Sequence, residues 1–378
     1  MKKNPLLDLE AFGQSIWMDY IRRGTILSGE FQQWIEEDGI SGVTSNPSIF
    51  EKAISDSPDY DRLIQNLALK DKTSDEIYQA LSVEDIQSVA DLLHPTYDRT
   101  DGRDGFASLE VSPKLAYDTA GTIAEARQLW SLVNRPNIMI KVPATREGIP
   151  AIRQLIGEGI NVNITLLFGL PRYREVVNAY LGGLEILAAK GKPLKQVASV
   201  ASFFLSRIDV LIDPVLEEKM THNSDGPLVK TAARLHGQVA IASAKVAYEL
   251  YNVIFTGERF EKLANRGART QRLLWASTST KNPVYNDTKY VEALIGPETI
   301  NTLPIETLNA YRDHGHPELS LDHNIPEAFQ VLNTLPTAGI DLNAVTQQLE
   351  DEGVKSFSDS FTALLDAVEK RSQTAIVK

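Results

Sequence analysis

The chain has 378 residues, 43% of them hydrophobic and 23% charged, which is typical of a globular protein with two average domains or one large α/β barrel. Its formal net charge of −12 argues against nucleic acid and anionic membranes as partners, because both bind basic surfaces. It contains no cysteine, which excludes disulfides, thiolate catalysis and cysteine-bound metals.

The composition also bears on where the protein acts. No uninterrupted apolar stretch reaches the roughly 18 residues that indicate a membrane span. The first ten residues, MKKNPLLDLE, lack the long apolar core of a secretory signal. The absence of cysteine is compatible with a reducing compartment. We therefore expect a cytoplasmic protein.

Short apolar runs alternate with helical patterns from the amino terminus to about residue 310. The runs that we predict to be strands are 15–20, 42–44, 106–111, 138–142, 162–167, 197–204, 273–277 and 300–303. Helical spacing appears at 122–130, 172–189 and 227–250. Strands that alternate with helices form parallel βαβ units, and eight of them fit a (β/α)8 TIM barrel better than an open doubly wound sheet. No G-x-G-x-x-G motif follows the first strand, so the dinucleotide fingerprint is missing.

The carboxyl-terminal segment continues the helical pattern. Asp341 is a candidate N-cap for a helix that ends near Gly353, and a second helix is predicted over 356–370. We interpret these helices as a closing layer of a single domain, 1–378. The stretch 313–339 is rich in Pro, His and Asn and is predicted to be a long loop. Exposed insertions are expected at 56–75 and 99–105.

Polar side chains interrupt or follow several predicted strands. Asp19 follows the first strand, Asn46 follows the second, and Glu110 lies near the end of the third. Asn163 and Thr165 alternate along the fifth strand, so both point to the same side of the sheet. Catalytic groups of a parallel barrel project from the carboxyl ends of its strands, where these side chains would converge. Each of them alone would also fit a surface strand end or a helix cap.

Lys141 lies alone inside the apolar run IMIKVP at 138–143. An ammonium group in a buried strand costs several kcal/mol unless it is paired or loses its proton. A neutral amine is a nucleophile that can form a Schiff base with a carbonyl substrate. The alternative is a structural lysine whose head group reaches solvent at the strand end. The run by itself leaves both interpretations open.

Three separated motifs resemble transaldolases. They are VTSNPS at 43–48, IKVPATREG at 140–148 and INVNITLLF at 160–168, and they occur in the order found in that family. The length and the closing segment resemble the larger bacterial members, so the resemblance covers nearly the whole chain. It implies one (β/α)8 barrel of the Schiff-base aldolase superfamily, with sugar phosphates as substrates and with no metal or organic cofactor.

The resemblance assigns catalytic roles to four residues. Lys141 matches the Schiff-base lysine of the fourth strand. Asp19 matches the aspartate that moves protons at the hydroxyl beside the broken carbon–carbon bond. Glu110 and Thr165 match the pair that orients a water molecule, which relays protons as the carbinolamine becomes an imine.

Further matches are implied for substrate binding. These positions are Thr44, Asn46, Asn163, Ser202, Phe204, Arg207, Ser277 and Lys281. The two asparagines match those that hydrogen-bond the dihydroxyacetone hydroxyls, and Arg207 matches an arginine that binds phosphate. The seventh strand departs from the family pattern of Ala-Ser-Phe-Arg or Ala-Ser-Phe-Lys, because it reads ASTSTK at 276–281. We therefore expect Lys281 to be the second phosphate cation, displaced by an apparent two-residue insertion.

The implied reaction belongs to the pentose phosphate pathway. A dihydroxyacetone unit moves from sedoheptulose 7-phosphate to glyceraldehyde 3-phosphate, which yields erythrose 4-phosphate and fructose 6-phosphate. The nearest alternative is a fructose-6-phosphate aldolase, whose shorter members usually have Gln at the position of Glu110 and Tyr at that of Phe204. The sequence leaves the oligomeric state open, a homo-oligomer included.

Two other classes fit the residues less well. A non-catalytic sugar-phosphate-binding barrel would be expected to lack the lysine or the carboxylates. A metal-dependent aldolase would need clustered ligands. His314 and His316 are the only close pair of histidines, and they fall in the predicted loop.

Overall fold

The computed structural model describes residues 4–222 and 226–376. Its strands form one closed parallel barrel in the order β1 to β8, in which β8 pairs with β1. The strands are β1 (Gln14–Met18), β2 (Ile40–Thr44), β3 (Phe106–Glu110), β4 (Ile138–Pro143), β5 (Val162–Leu167), β6 (Ser199–Phe204), β7 (Arg272–Ala276) and β8 (Thr299–Leu303). The predicted TIM barrel is confirmed, and each observed strand overlaps its predicted run.

Helices surround the barrel. Within the described ranges they are α1 (Pro5–Ala11), α2 (Arg23–Leu27), α3 (Glu30–Asp38), α4 (Pro47–Ser55), α5 (Asp61–Ala68), α6 (Ser74–Arg99), α7 (Thr119–Val133), α8 (Gly148–Ile156), α9 (Leu170–Ala189), α10 (Ser206–His222), α11 (Gly226–Leu235), α12 (Val239–Phe255), α13 (Glu258–Ala264), α14 (Lys289–Glu292), α15 (Ile305–His314), α16 (Ile325–Thr334) and α17 (Leu342–Ile376). Short 3₁₀ helices cover Pro58–Tyr60, Pro113–Leu115 and Leu335–Ala338. No helix in the described part of the chain is long and apolar enough to cross a membrane.

The predicted long loop at 313–339 is wrong. Helix α15 continues to His314, helix α16 covers Ile325–Thr334, and a 3₁₀ helix follows at Leu335–Ala338. A proline in the first turn of α16 is compatible with a helix start, since that position has no intrahelical partner for a backbone N–H. Two prolines of this segment, Pro326 and Pro336, therefore mark helix starts, whereas Pro317 lies in the irregular stretch 315–324.

The predicted pair of carboxyl-terminal helices is a single helix of 35 residues, α17. Asp341 caps its start, because its Oδ1 accepts a hydrogen bond from the backbone N–H of Asn343 at 2.9 Å. Gly353 does not end the helix. A Cβ at this glycine would lie 2.9 Å from a methyl group of Leu166 in β5, so the glycine allows α17 to approach the barrel closely.

Two further expectations need correction. The helical pattern at 227–250 is interrupted between α11 and α12, where Gly237 adopts a left-handed φ of +68°. The predicted insertion at 56–75 contains helix α5, and its Tyr60 and Ile64 are completely buried.

Helix α17 packs against α4, α5 and β5, and so lies across the carboxyl ends of the strands.

Candidate functional site

Lys141 is completely enclosed within the carboxyl-terminal half of the barrel. The β3–β4 register places it opposite Glu110, and its Nζ lies 3.1 Å from Oε2 of that carboxylate. Nζ also donates a hydrogen bond of 2.9 Å to the carbonyl oxygen of Ser45. The Lys141 and Glu110 side chains are only 4% and 5% exposed. The ammonium group is therefore paired inside the barrel and does not reach bulk solvent.

The Glu110 carboxyl is suited to exchange a proton with this amine. Burial raises the pKa of Glu110 above its ordinary value, and the neighbouring Lys141 ammonium offsets part of that rise. The negative charge of Asp19 raises it further. A proton that moves from Nζ to this carboxylate leaves a neutral amine, which is the form that attacks a carbonyl carbon.

Asp19 lies directly beyond strand β1 and is held from two sides. Its backbone N–H donates to the carbonyl oxygen of Leu303 in β8 at 2.9 Å. Its Oδ1 accepts a hydrogen bond of 2.8 Å from the Thr44 hydroxyl of β2. The carboxylate is thus oriented over the carboxyl ends of neighbouring strands.

The two predicted asparagines are oriented by hydrogen bonds of different kinds. Asn163 accepts a hydrogen bond from the Ser202 hydroxyl at 2.7 Å, and its Nδ2 donates to the Ser108 hydroxyl at 3.1 Å. Asn46 is the N-cap of α4, since its Oδ1 accepts a hydrogen bond from the N–H of Ile49. The cap uses only the amide oxygen, so the NH₂ group of Asn46 is the part left to donate to a ligand.

Thr165 is buried on β5, on the strand next to that of Lys141. Its Oγ1 has no hydrogen-bond partner among the residues that the structure describes. A buried hydroxyl without a partner is costly, and an ordered water or a ligand oxygen would satisfy it.

Positive charge gathers at the carboxyl ends of β6 and β7. Arg207 lies in the first turn of α10, and Lys281 follows β7 and donates from Nζ to Ser279 Oγ at 2.7 Å. Burial lowers the pKa of the Lys281 ammonium, and the charge of Arg207 lowers it further. Ser277 adopts a left-handed φ of +55°, and its hydroxyl lies 2.9 Å from that of Ser206. Two adjacent cations of this kind favour an anionic ligand.

Most of the predicted site residues line one cavity of about 200 Å³ at this end of the barrel. They are Asp19, Thr44, Asn46, Lys141, Thr165, Ser202, Phe204, Arg207, Ser277 and Lys281. The other two, Glu110 and Asn163, contact Lys141 and Ser202 from behind. A second cavity of about 420 Å³ adjoins the first, because both are lined by Asp19, Asn46, Ser48 and Pro304. The structure therefore brings all the predicted residues together.

The sequence analysis missed Phe357, Ser279 and Thr302, which also line the cavity. Phe357 belongs to α17, and the centroid of its ring lies 5.8 Å from Lys141 Nζ. Its helical spacing indicated only a buried helix face. No local signal in the sequence separates a phenylalanine that covers a cavity from one that fills the core.

We expect Phe357→Leu to lower kcat/KM about fivefold, because the ring beside Nζ would stabilise the protonated imine that the resemblance implies there, and such a contact in a dry site is worth roughly 1–2 kcal/mol. Steady-state kinetics with the sugar phosphates that the resemblance implies would measure this change. Phe361→Leu is the matched control, since Phe361 lies one turn later on α17 and faces Lys114 at 5.3 Å. Equal losses in the two variants would contradict a specific contact with Lys141.

A larger cavity, of about 450 Å³, opens at the amino-terminal end of the strands. None of the predicted site residues lines it. Its cations are paired with neighbouring carboxylates, Arg103 with Glu298 at 2.5 Å and Lys195 with Asp101 at 2.7 Å. Catalytic groups of this fold project from the opposite end.

The alternative of a histidine metal site finds no support in the geometry. Across residues 4–222 and 226–376, no group of three or more His, Cys, Asp or Glu side chains could hold a metal ion. His314 ends helix α15, and its Nε2 lies 2.9 Å from Asp287.

Comparison with known proteins agrees with the resemblance found in the sequence. A family model described as transaldolase/fructose-6-phosphate aldolase matches residues 16–368. A transaldolase of Trichodesmium erythraeum is 45% identical over 373 residues, which are 98% of both chains. A transaldolase of Thiobacillus denitrificans is 48% identical over 358 residues, 95% of this chain and 98% of the other. Transaldolase 2 of a Nostoc species is 45% identical over 374 residues, 98% of both chains. Because the family model spans most of the chain and these relatives match it over nearly its full length, the chain belongs to the transaldolase/fructose-6-phosphate aldolase family.

Proposed function

We propose that the protein is a transaldolase that transfers a dihydroxyacetone unit from sedoheptulose 7-phosphate to glyceraldehyde 3-phosphate. The products are erythrose 4-phosphate and fructose 6-phosphate. The observation that carries this proposal is the enclosed amine of Lys141, which lies 3.1 Å from Glu110 in a cavity that Asp19 also lines. The full-length similarity to curated transaldolases supports it.

In the first step, the neutral amine of Lys141 attacks the ketose carbonyl carbon. The carbinolamine then loses its oxygen as water, and the imine nitrogen keeps a proton. Glu110 supplies and retrieves protons through a water molecule that also contacts Thr165. The unpartnered Oγ1 of Thr165 supports this water position.

In the second step, Asp19 removes the proton from the hydroxyl beside the bond that breaks. The electron pair of that carbon–carbon bond moves into the protonated imine, which becomes an enamine. The aldose phosphate leaves as an aldehyde. Addition of the second aldehyde and hydrolysis of the new imine run the same steps in reverse.

The remaining polar residues hold the substrate. Asn46 and Ser202 supply donors and acceptors for the hydroxyls of the retained three-carbon unit, each worth roughly 0.5–1.5 kcal/mol. Asn163 orients the Ser202 hydroxyl for this role. Arg207 and Lys281 bind the phosphate, the arginine through two parallel hydrogen bonds and the lysine as a point charge.

Imine trapping tests the proposal directly. Incubation with fructose 6-phosphate and borohydride is expected to reduce the imine to a stable secondary amine, which mass spectrometry of peptides would place on Lys141. No adduct, or an adduct on another lysine, would overturn the proposed mechanism.

Transfer must also be distinguished from simple cleavage. Glu110 and Phe204 occupy the positions at which the resemblance implies Gln and Tyr in fructose-6-phosphate aldolases. We therefore expect little free dihydroxyacetone to be released without an acceptor aldehyde, and this release can be measured with a coupled dehydrogenase. Rapid release from fructose 6-phosphate would show an aldolase instead.

A further inference from the structure

Two buried carboxylates of helix α10 hold the segment between β7 and β8. Asp209 accepts a hydrogen bond of 2.8 Å from the Tyr290 hydroxyl and lies 3.3 Å from Lys289 Nζ. Asp213, one helical turn later, accepts a hydrogen bond of 2.6 Å from the Tyr285 hydroxyl. Lys289 Nζ also lies 3.4 Å from the centroid of the Tyr285 ring. These five residues are called the α10 clamp below.

The clamp is anchored a second time, at the turn between α11 and α12. The backbone N–H of Ala240 donates to Asp209 at 2.9 Å, and that of Gly237 donates to Asp213 at 2.8 Å. All four carboxylate oxygens therefore have partners. A Cβ at residue 237 would lie 2.6 Å from the Tyr285 hydroxyl oxygen, so a glycine is needed for this approach as well as for its positive φ.

The two elements that the clamp joins carry the two candidate phosphate cations. Arg207 lies in the first turn of α10, ahead of both clamp carboxylates. Lys281 precedes a turn in which the backbone N–H of Tyr285 donates to the carbonyl oxygen of Asn282 at 3.1 Å. The clamp thus fixes the far end of the loop that bears Lys281 to the helix that bears Arg207.

Physical chemistry gives a reason for such a clamp. Arg207 and Lys281 line the same small cavity, and the charge of Arg207 lowers the pKa of Lys281, so the two cations repel each other when no anion lies between them. Near β7, the backbone N–H groups of Leu205 and Ser206 donate to the carbonyl oxygens of Ala276 and Ser277, and the Ser206 and Ser277 hydroxyls lie 2.9 Å apart. These contacts hold the start of the loop and leave its far end to the clamp. Without a second attachment the loop can relieve the repulsion by moving away.

We propose that Tyr285 and Lys289 are positioning residues for phosphate recognition, because the clamp keeps the loop of Lys281 beside the helix of Arg207, so that both cations line one cavity. This inference rests on the proposed function. Tyr285 and Lys289 should therefore affect binding of the substrate's phosphate group and should not affect formation of the imine at Lys141.

Tyr285→Phe tests this role, since it removes one hydroxyl and keeps the ring under Lys289. We expect kcat/KM for fructose 6-phosphate to fall about fivefold, the effect of one lost hydrogen bond, with kcat nearly unchanged. The value of kcat/KM for unphosphorylated fructose should not change, and the inhibition constant of inorganic phosphate should rise by the same factor. A merely structural tyrosine would lower both sugar activities together.

A control variant, a second clamp variant and a double variant complete the test. Tyr173→Phe also removes a buried hydroxyl, one without a hydrogen-bond partner in the described residues, and should leave the ratio of the two sugar activities unchanged. Lys289→Met is a second clamp variant and should act in the same direction as Tyr285→Phe. In a Lys281→Ala background, Tyr285→Phe should cause no further loss, because the group that it positions is gone.

The outcomes separate the two levels of the proposal. A wild-type protein without activity on fructose 6-phosphate would refute the proposed function. The wild-type protein should strongly prefer fructose 6-phosphate to fructose. If Tyr285→Phe and Lys289→Met both leave this preference intact, the proposed role of the clamp is refuted. Full additivity of Tyr285→Phe with Lys281→Ala would refute it as well.

Discussion

Replacement of Lys141 by alanine is expected to lower kcat by about 10⁴-fold or more, the scale on which loss of a covalent nucleophile acts. The trapped adduct with fructose 6-phosphate should disappear at the same time. Among the described residues, Lys281 is the only other lysine that lines this cavity, and it is exposed and donates to Ser279. Steady-state rates and peptide mass spectrometry after borohydride reduction measure the two effects.

The Lys141 variant should still fold. Burial already raises the pKa of Glu110, so this carboxyl can take up a proton once its partner is removed and avoid an unpaired buried charge. A double variant, Lys141→Met with Glu110→Gln, removes both charges and keeps the volume of the pair. Circular dichroism and a cooperative unfolding transition should confirm the barrel in both proteins.

A second buried lysine supplies the control. Lys245 of α12 is 8% exposed, and its Nζ donates to the carbonyl oxygens of Ser320 and His323, away from the candidate site. Lys245→Met is expected to lower stability but to leave kcat within about twofold of the wild-type value. Near-normal turnover by Lys141→Ala would make Lys141 a structural residue and end the Schiff-base proposal.

Asp19→Asn is expected to lower kcat by about 10²–10⁴-fold, the usual contribution of a general base. An amide at this position still accepts the hydrogen bond from Thr44 but cannot take a proton from a hydroxyl. The variant should form the imine and then fail to break the carbon–carbon bond. The fraction of protein trapped by borohydride with fructose 6-phosphate should therefore be at least as large as in the wild type.

This accumulation distinguishes Asp19 from residues that act earlier. A variant that loses turnover and adduct together would show that Asp19 is needed for imine formation or for binding. A variant that keeps most of its turnover would assign the proton transfer to another group. Rapid quenching and quantification of the adduct against time separate these outcomes.

The fold was predictable because buried parallel strands are short, continuous and apolar. Runs such as 138–142 and 162–167 stand out from the helical patterns between them. The errors occurred where one residue type has two structural uses. Proline indicates a loop by its sequence pattern but lies in the first turn of α16, and Gly353 indicates a helix end but lies within α17.

The sequence predicted which residues form the candidate site, but it did not predict which of them contact one another. Lys141 and Glu110 are polar residues within apolar runs, which local sequence makes visible. Their 3.1 Å separation depends on the register between β3 and β4, which no short motif encodes.

The sequence by itself determined the alternation of strands and helices, the lone lysine in an apolar strand, and the polar residues at strand ends. Those features depend on the chemistry of neighbouring residues, so they can be recognised locally. Only the tertiary structure decided that Phe357 of the last helix covers Lys141, and that the α10 clamp ties Lys281 to the helix of Arg207. Such contacts join residues far apart in the chain, and their geometry follows from how the whole barrel closes and packs.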